Sequence, residues 1–368
     1  MPYYRVKLKP NSPFFKGINS HARKSTAIVH SDVLHSAFLC VSSTIDPYWL
    51  REDRAKNLLL SSIYPYYNSI YLYPKPFVPS TDDSQDEKKE EEKKLDTADK
   101  SDRKKWKKVK YVSEGLFAKL LVYKDAGKED YPYLDGNKGT TLCLDTELNE
   151  IKKEGGLPTQ KIVKENYKIS TVIDRVTNQA TPYPQNYYEI NTEEGVGLWF
   201  LVKLEETELE SFEKVLSALG KLGIGGERTS GFGQFSIVKI IPLQSNNLKQ
   251  LVDKDILVVS GHENLDLNTI TTLSLYHPTK EEFNDGILNG IASYECTVRG
   301  GWIHDLAGGD NPKMSIRMCI EGSIFPAKDG KPKGDVLDIS YNEEPHPIWR
   351  SGLALNIYFQ LPEKEIKK

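Results

Sequence analysis

Cysteine is scarce and unpaired in this chain. Cys40, Cys143, Cys296 and Cys319 lie far apart, with no C-x-x-C pair and no nearby His-x-x-x-His partner. That excludes the usual patterns of structural zinc, and a disulfide framework does not suit a chain of 368 residues. The four read as buried reduced thiols. Long hydrophobic runs are missing too: none approaches the roughly 18–20 residues of a membrane span. The opening "MPYYRVKLKPNSPFF" has no continuous apolar core of the signal-peptide kind. The expectation is a cytoplasmic protein with no membrane partner. No 20–50-residue self-similarity indicates a solenoid. Acidic residues are absent from positions 1–31, which carry Arg5, Lys7, Lys9, Lys16, Arg23 and Lys24 before Asp32. With a net charge of −3 overall, this is a local cationic arm. It suits phosphate contact or an ordinary solvated surface, and charge alone does not choose.

What is present is an ordinary globular composition, long enough for two domains. "YYRVKLKP" alternates like a half-buried strand. "SDVLHSAFLCVSSTI" places Val33, Leu34, Ala37, Phe38, Val41 and Ile45 on one helical face. Ser31 is positioned as its N-cap and Asp32 where the helix dipole favours an anion. Residues 80–108 have almost no core-forming side chains and read as an exposed charged insertion. Within it Trp106 among Lys104, Lys105, Lys107 and Lys108 suits charge-plus-stacking contact with nucleic acid, against a plain solvated loop.

Residues 170–200 predict a long hairpin, one strand near Ile169–Ile173 and the other near Gly197–Leu204, around a proline-containing tip. A helix with Leu209, Phe212, Leu216, Leu219 and Leu222 follows, then a glycine loop and a strand. The order βαββαβ is the ferredoxin-like, RRM-like plan, whose sheet is closed on one face and open for binding on the other. The expected fold class is α+β with two ferredoxin-like modules, residues 1–245 and a degenerate one at 246–368. In the second, "TKEEFNDGILNG" is the clearest helix.

"GIGGERTSGFGQF" (223–235) packs five glycines into eleven positions. A dinucleotide turn would follow a strand and open a helix, whereas here a helix precedes and a strand follows. No Gly-Lys-Ser/Thr ends the run, so a P-loop is excluded and no cofactor is expected. Five glycines exceed what a helix-to-strand turn needs. Gly225, Gly226 and Gly231 would let a polymer backbone approach main-chain N–H groups. Arg228 offers a phosphate fork, Thr229 and Ser230 offer hydroxyls, and Phe232 either stacks on a base or packs beneath the loop.

With these residues in place the chain resembles the RAMP superfamily of CRISPR-associated proteins, and within it the Csm-type subunit four of type III-A effector complexes. The glycine loop between helix and strand carries the resemblance. So do "HSDVLHSAFL" (30–39), "IDRVTNQATPYPQNYYEI" (173–190), and "EGSIF" (321–325) with "HPIWRSGLAL" (346–355). The resemblance implies a non-catalytic RNA-binding subunit that grips the 5′ handle of the crRNA. It also implies a hairpin reaching target RNA near the guide 5′ end, and docking to a large palm-domain subunit and a backbone RAMP subunit. Carried over residue by residue, it assigns RNA contact to the glycine loop and to Lys16, Ser20, His21, Arg23 and Lys24 after the first strand. It further assigns contact to Ser31, to Arg175 and Thr177 of an Arg-x-Thr motif at the hairpin base, and to Tyr183 and Tyr187 as wedges or hairpin packing. Arg299 and Arg350 are RNA contacts or structural ion-pair partners. Two other functions compete. One is metal-independent cleavage of CRISPR RNA, with His21 as the candidate acid or base and His35 more simply a packed or surface histidine. The other is a purely structural assembly role. No compact Asp/Glu/His cluster for a two-metal nuclease is visible, and no metal is expected.

Overall fold

The computed structural model describes residues 1–17, 26–77, 106, 108–122, 130–135, 139–154, 156–158, 160–191, 193–243, 250–253, 256–259, 269–304, 310–327, 332–340 and 346–359. Strand β1 (Tyr3–Pro10) is followed by β2 (Phe14–Gly17) and helix α1 (Ser31–Ile45). After the short α2 (Glu52–Ala55) come β3 (Leu59–Leu60), β4 (Tyr64–Tyr67), β5 (Ile70–Pro74) and β6 (Tyr111–Ser113). Helix α3 (Glu114–Val122), β7 (Thr141–Leu142) and α4 (Asp145–Glu154) lead to β8 (Val163–Ile173) and β9 (Ala180–Ile190). The first half closes with β10 (Val196–Lys203), α5 (Leu209–Leu222) and β11 (Phe235–Pro242).

The main sheet runs β11-β1-β10-β4-β5-β6-β7, with β3 also on β10. Its first four members are antiparallel and have the ferredoxin-like order, α1 lying between β1 and β4 and α5 between β10 and β11. One expected strand is replaced. The neighbour of β10 is Tyr64–Tyr67, and residues 68–195 are inserted between the two.

The hairpin is also redrawn. Its return strand is β9, not Gly197–Leu204, and the ladder runs from Val163↔Ile190 to Ile173↔Ala180. Pro182 and Pro184 made this stretch read as a tip. They are two residues apart, so both missing N–H groups fall on one edge of the strand, and β2 pairs with β9 only at Asn186–Tyr188.

Alternation in β1 and β10 sorts side chains between two packed faces. Phe200 turns to the helical side, where Phe212 of α5 stacks on Phe38 of α1 at 4.9 Å and Trp49 meets Phe38 edge-on at 5.3 Å. Each such aromatic pair adds about 0.5–1.5 kcal/mol beyond area burial. Trp199 turns the other way, against Tyr73 at 4.8 Å, and Tyr73 stacks on Phe117 of α3 at 4.7 Å. This face was expected to be open; instead α3 and a buried aromatic layer cover it. Arg5 lies in that layer, 3% exposed, with its guanidinium 3.6 Å from the Tyr71 ring and 3.1 Å from Glu114. Burial opposes its charge, and Tyr73 and Glu114 hold it well above the ordinary arginine value.

The second half comprises β12 (Gln250–Asp253), β13 (Ile256–Val259), β14 (Thr269–Thr272), α6 (Lys280–Asn284) and β15 (Cys296–Arg299). Then follow β16 (Trp302–His304), β17 (Asp310–Pro312), β18 (Ile316–Cys319), β19 (Ile324–Pro326), β20 (Val336–Asp338), β21 (Trp349–Ser351) and β22 (Asn356–Phe359). Five strands form a sheet in the order β12-β13-β22-β14-β19, and β15–β18, β16–β17 and β20–β21 are two-stranded ribbons. Among the described residues α6 is the only helix here, opened by a Thr279–Glu282 capping box. Leu273, Ile324, Leu355 and Ile357 join the hydrophobic core of the first half. Cys143 and Cys319 are buried as expected, but Cys40 and Cys296 are exposed. No helix among the described residues is long and apolar enough to cross a membrane.

Gly220 lies where α5 crosses β11. A Cβ there would sit 2.4 Å from the Phe235 carbonyl oxygen, a backbone atom that cannot swing away. Gly220→Ala is therefore expected to lower stability by about 1–3 kcal/mol, despite the ~1 kcal/mol that alanine gains in a helix. Denaturant titration of the full chain measures this, and a raised midpoint contradicts it.

Candidate nucleic-acid interface

The glycine loop leaves α5 at Gly223 and rejoins the sheet at Gly233. These two pinch its base, with the Ile224 N–H donating to the Gly233 carbonyl at 3.0 Å. Gly223, Gly225, Gly231 and Gly233 have φ of 84°, 89°, 83° and 75°, all in the region that penalises other residues. Gly226 presses on Phe15, whose ring would be 2.4 Å from an added Cβ. The backbone path therefore accounts for four of the loop's glycines and packing on Phe15 for the fifth, so their number does not itself signal a ligand. Nothing lies within 4 Å of a Cβ built on Gly225 or Gly231.

What the loop displays is more informative. Arg228–Ser230 form a single 3-10 turn, and all three are exposed. Ser230 Oγ donates to Glu227 at 3.2 Å. Among the described residues no ion pair or hydrogen bond engages the Arg228 guanidinium. Phe232 is 7% exposed, edge-on to Tyr187 at 5.7 Å with Lys168 Nζ over its ring. Of the two readings of Phe232, packing beneath the loop is the one observed. Tyr187 is held as its packing partner, and Tyr183 accepts a hydrogen bond from Gln185 at 3.1 Å.

Loop, β2 and hairpin form one unit. Gly233 N–H donates to the Pro13 carbonyl, and β2 pairs with β9 at Phe14↔Tyr188 and Phe15↔Tyr187. Lys16 bonds Glu165 of β8 at 2.7 Å, and Lys110 pairs with the same carboxylate. Burial would raise Glu165, but these two lysines hold it below the ordinary range. Ser20, His21, Arg23 and Lys24, which follow β2 in the chain, lie outside the described residues, as do Lys104, Lys105 and Lys107. Trp106 is partly buried against the core with Lys75 over its ring, so it is not a free stacking platform.

The hairpin tip corrects one assignment. Arg175 and Thr177 sit in the turn at its far end, not at its base. There Asp174 accepts N–H bonds from Val176 and Thr177 at 2.7 and 3.0 Å. Sequence reasoning missed the apolar side chains that the hairpin leaves in water: Tyr167, Ile169, Val172, Ile173 and Val176, the last 91% exposed. The run "YKISTVI" held this signal, since such residues on a strand normally face a core. It also missed a cleft of about 440 Å³ at the hairpin base, lined by Lys110, Lys161, Lys164, Glu165 and Tyr188.

A second cluster gathers residues that the sequence ranked as RNA contacts. His30 is the N-cap position of α1, so Ser31 is already helical. Ser31 is 3% exposed and its Oγ accepts from Leu275 N–H at 3.0 Å. Asp32 is 2% exposed. Arg299 grips it with Nε and Nη2, both at 3.0 Å, and Arg350 Nη1 at 2.9 Å. Arg350 also donates to the Gly300 carbonyl at 3.0 Å. Both arginines are thus structural ion-pair partners. Burial would raise the Asp32 carboxyl, but Arg299 and then Arg350 outweigh it and hold it at about 2, against an ordinary 3.8. Beside it His30 Nδ1 is 2.8 Å from Glu321, which also accepts from Ser62.

His35 is 1% exposed with Nε2 at 2.8 Å from the Ala55 carbonyl, and burial brings it down to about 4. That is a packed histidine. No group of three His, Cys, Asp or Glu able to hold a metal occurs among the described residues.

A family model for the RAMP superfamily matches residues 51–236, and one for the CRISPR Csm4 C-terminal domain matches residues 266–359. The CRISPR system Cms protein Csm4 of Methanocaldococcus jannaschii is 28% identical over 364 residues, covering 91% of this chain and 88% of that protein. Among solved structures, one of a Csm3–Csm4 subcomplex in the type III-A CRISPR-Cas interference complex aligns at TM-score 0.64. Its sequence identity is 21%, over 98% of this chain and all of that one. A Csm1–Csm4 cassette in complex with cA4 aligns at 0.55 and 16%, over 99% of this chain and all of that one. At these identities the structural matches establish the α+β fold.

Removing the Asp32 charge leaves two arginines facing each other inside the protein. Asp32→Asn is expected to cost about 3–5 kcal/mol, measured by chemical denaturation at neutral pH. The pH dependence has a definite sign. A depressed carboxyl stabilises above its unfolded value of 3.8 and loses that contribution as pH falls toward about 2. The decline in stability between those values should be shallower in the Asn variant than in the wild type. A loss below 1 kcal/mol, roughly that of an exposed ion pair, would contradict the clamp.

Proposed function

The chain belongs to the RAMP superfamily and carries a Csm4 C-terminal domain, and from this premise we propose that it is the crRNA 5′-handle-binding subunit of a type III-A Csm interference complex. In this reading it caps the assembly, docks the large palm-domain subunit and the first backbone RAMP subunit, and performs no chemistry of its own. The observation that carries it is Arg228, exposed in a one-turn helix flanked by left-handed Glu227 and Gly231, in a loop whose Phe232 packs on Tyr187 of the hairpin. Open space over Gly225 leaves room for a sugar-phosphate chain to approach the main chain there, whereas the Ser230, Gly231 and Phe232 N–H groups are already bonded within the loop. A planar guanidinium in that setting suits a phosphate oxygen pair.

The hairpin supplies the second element. Its exposed Ile169, Val172, Ile173 and Val176 suit a wedge or platform against bases near the guide 5′ end, where target RNA pairs. Ser20, His21, Arg23 and Lys24 follow β2 in the chain and are assigned to the same RNA surface. The proposed cytoplasmic setting follows from this role.

Arg228→Ala should weaken binding of a handle-bearing guide RNA by the assembled complex. It should also flatten the plot of log affinity against log salt by about 0.7, one phosphate on a single strand. An unchanged slope together with unchanged affinity favours the purely structural role. Cleavage of a repeat RNA by the purified chain in EDTA favours the processing role instead.

A further inference from the structure

Strands β15 and β18 set Cys296 and Cys319 directly opposite each other, with their Sγ atoms 3.9 Å apart. The N–H and C=O of Cys319 both point away from β15, to Tyr276, at 2.8 and 3.0 Å. On the β15 side the adjacent Ile320 N–H bonds the Glu295 carbonyl instead. The cysteines therefore occupy a non-hydrogen-bonded position of their ladder. Such pairs bring Cα atoms to about 4.5 Å, inside the ~4.4–6.8 Å that a disulfide spans. Side-chain rotation is then enough to close the sulfurs. Cys296 is exposed and Cys319 is 2% exposed, so one thiol meets solutes and the other waits behind it.

We infer that Cys296 and Cys319 are a reversible cross-strand dithiol, closed by low-molecular-weight disulfides and reopened by small thiols. The order of events follows from the surroundings. The hydrogen bond from Cys319, aided by Arg317, brings the Cys296 thiol down to about 7 against the opposing effect of burial. The same hydrogen bond and burial push Cys319 up. The Cys296 thiolate attacks one sulfur of glutathione disulfide. Its S–S bond breaks, a mixed disulfide forms and one glutathione thiolate leaves. Cys319 then gives its proton to solvent and its sulfur attacks Cys296 Sγ, expelling the second glutathione thiolate. Two protein thiols are oxidised and one glutathione disulfide is reduced to two glutathiones.

The bond would fasten β15 at one end, while Arg299 at its other end holds Asp32. β15 pairs with β18 alone, so closing the bond reinforces the strand that delivers Arg299 to the buried carboxylate. Oxidation is thus expected to tighten the link between the two halves of the chain.

The test uses the reduced full-length protein, treated with glutathione disulfide, quenched with N-ethylmaleimide and mapped by mass spectrometry. The expected product is monomeric, with the Cys296 and Cys319 peptides joined, their combined mass lower by two hydrogens, and released by dithiothreitol. Its thermal midpoint should exceed that of the reduced protein. In Cys319→Ser the glutathione adduct on Cys296 should persist. A stable adduct on Cys296 in the wild type, with Cys319 still a free thiol, would overturn the proposal, as would an unreactive Cys296. Equal midpoints would overturn the reinforcement of β15.

Discussion

Two guanidinium groups closing on one buried carboxylate organise this molecule. Asp32 sits in the first turn of α1, where unpaired N–H groups already favour a negative charge. Its partners arrive from distant parts of the chain, Arg299 from β15 and Arg350 from β21. Both strands belong to two-stranded ribbons; Val298 on β15 is 59% exposed, and β21 adds only Trp349 against the core. Taking a carboxylate out of water costs several kcal/mol, and only close, multiply bonded partners offset it. Once they do, the arrangement tolerates no missing member. It therefore specifies where the ribbons go, more than it adds to net stability.

The neighbouring contacts repeat the logic across the same seam. His30 and Ser62 meet Glu321, and Ser31 N–H donates to Ser62 Oγ at 2.9 Å while Ser31 Oγ receives Leu275 N–H. Apart from the Ser31–Ser62 bond, which ties α1 to the β3–β4 connection, each of these runs from one of those two segments to the second half of the chain. The hydrophobic core does likewise, since Leu273, Ile324, Leu355 and Ile357 pack with the first-half residues. Two domains joined by a loose linker would bury neither. The interface is part of the folded core, which makes the pose of one half relative to the other a fixed property of the sequence.

Much of this was legible beforehand, and the misses have physical causes. Helices α1 and α5 were readable because their apolar residues keep helical spacing over several turns. The order of the ferredoxin-like strands was correct except where proline misled. Pro182 and Pro184 hid β9, and Pro65 sits within β4, whose aromatic side chains are nonetheless buried. Arg5 and Lys7 looked like a surface charge pattern; in the fold they alternate with Val6 and Leu8 and are received by tyrosine rings. No local pattern announces that a cation has an aromatic host 60 residues away. Arg299, Arg350 and Ser31 were named as candidate RNA contacts and lie in internal contacts around Asp32; a single sequence does not distinguish a residue kept for RNA from one kept for a buried ion pair. Only the juxtaposition does that.

The same constraint sharpens where affinity for an anionic polymer would come from. Lys16 and Lys110 share Glu165, so this trio presents one net positive charge, not two. Arg5 is enclosed, and Arg299 and Arg350 are neutralised in part by Asp32. Of the cations in the described region around the glycine loop, Arg228, Lys168 and Lys221 are exposed and without an acidic partner among the described residues. A surface with few free charges cannot hold a polyanion by counterion release alone. It must rely on shape, on main-chain N–H groups and on the apolar edge of the hairpin, terms that salt screens weakly. Such a surface discriminates by fit, and it suits a defined RNA end held in a fixed pose better than indiscriminate binding along a strand. The buried clamp at Asp32 is what makes a fixed pose available, because it ties α1, in the half that carries the glycine loop, to β15 and β21 of the other half.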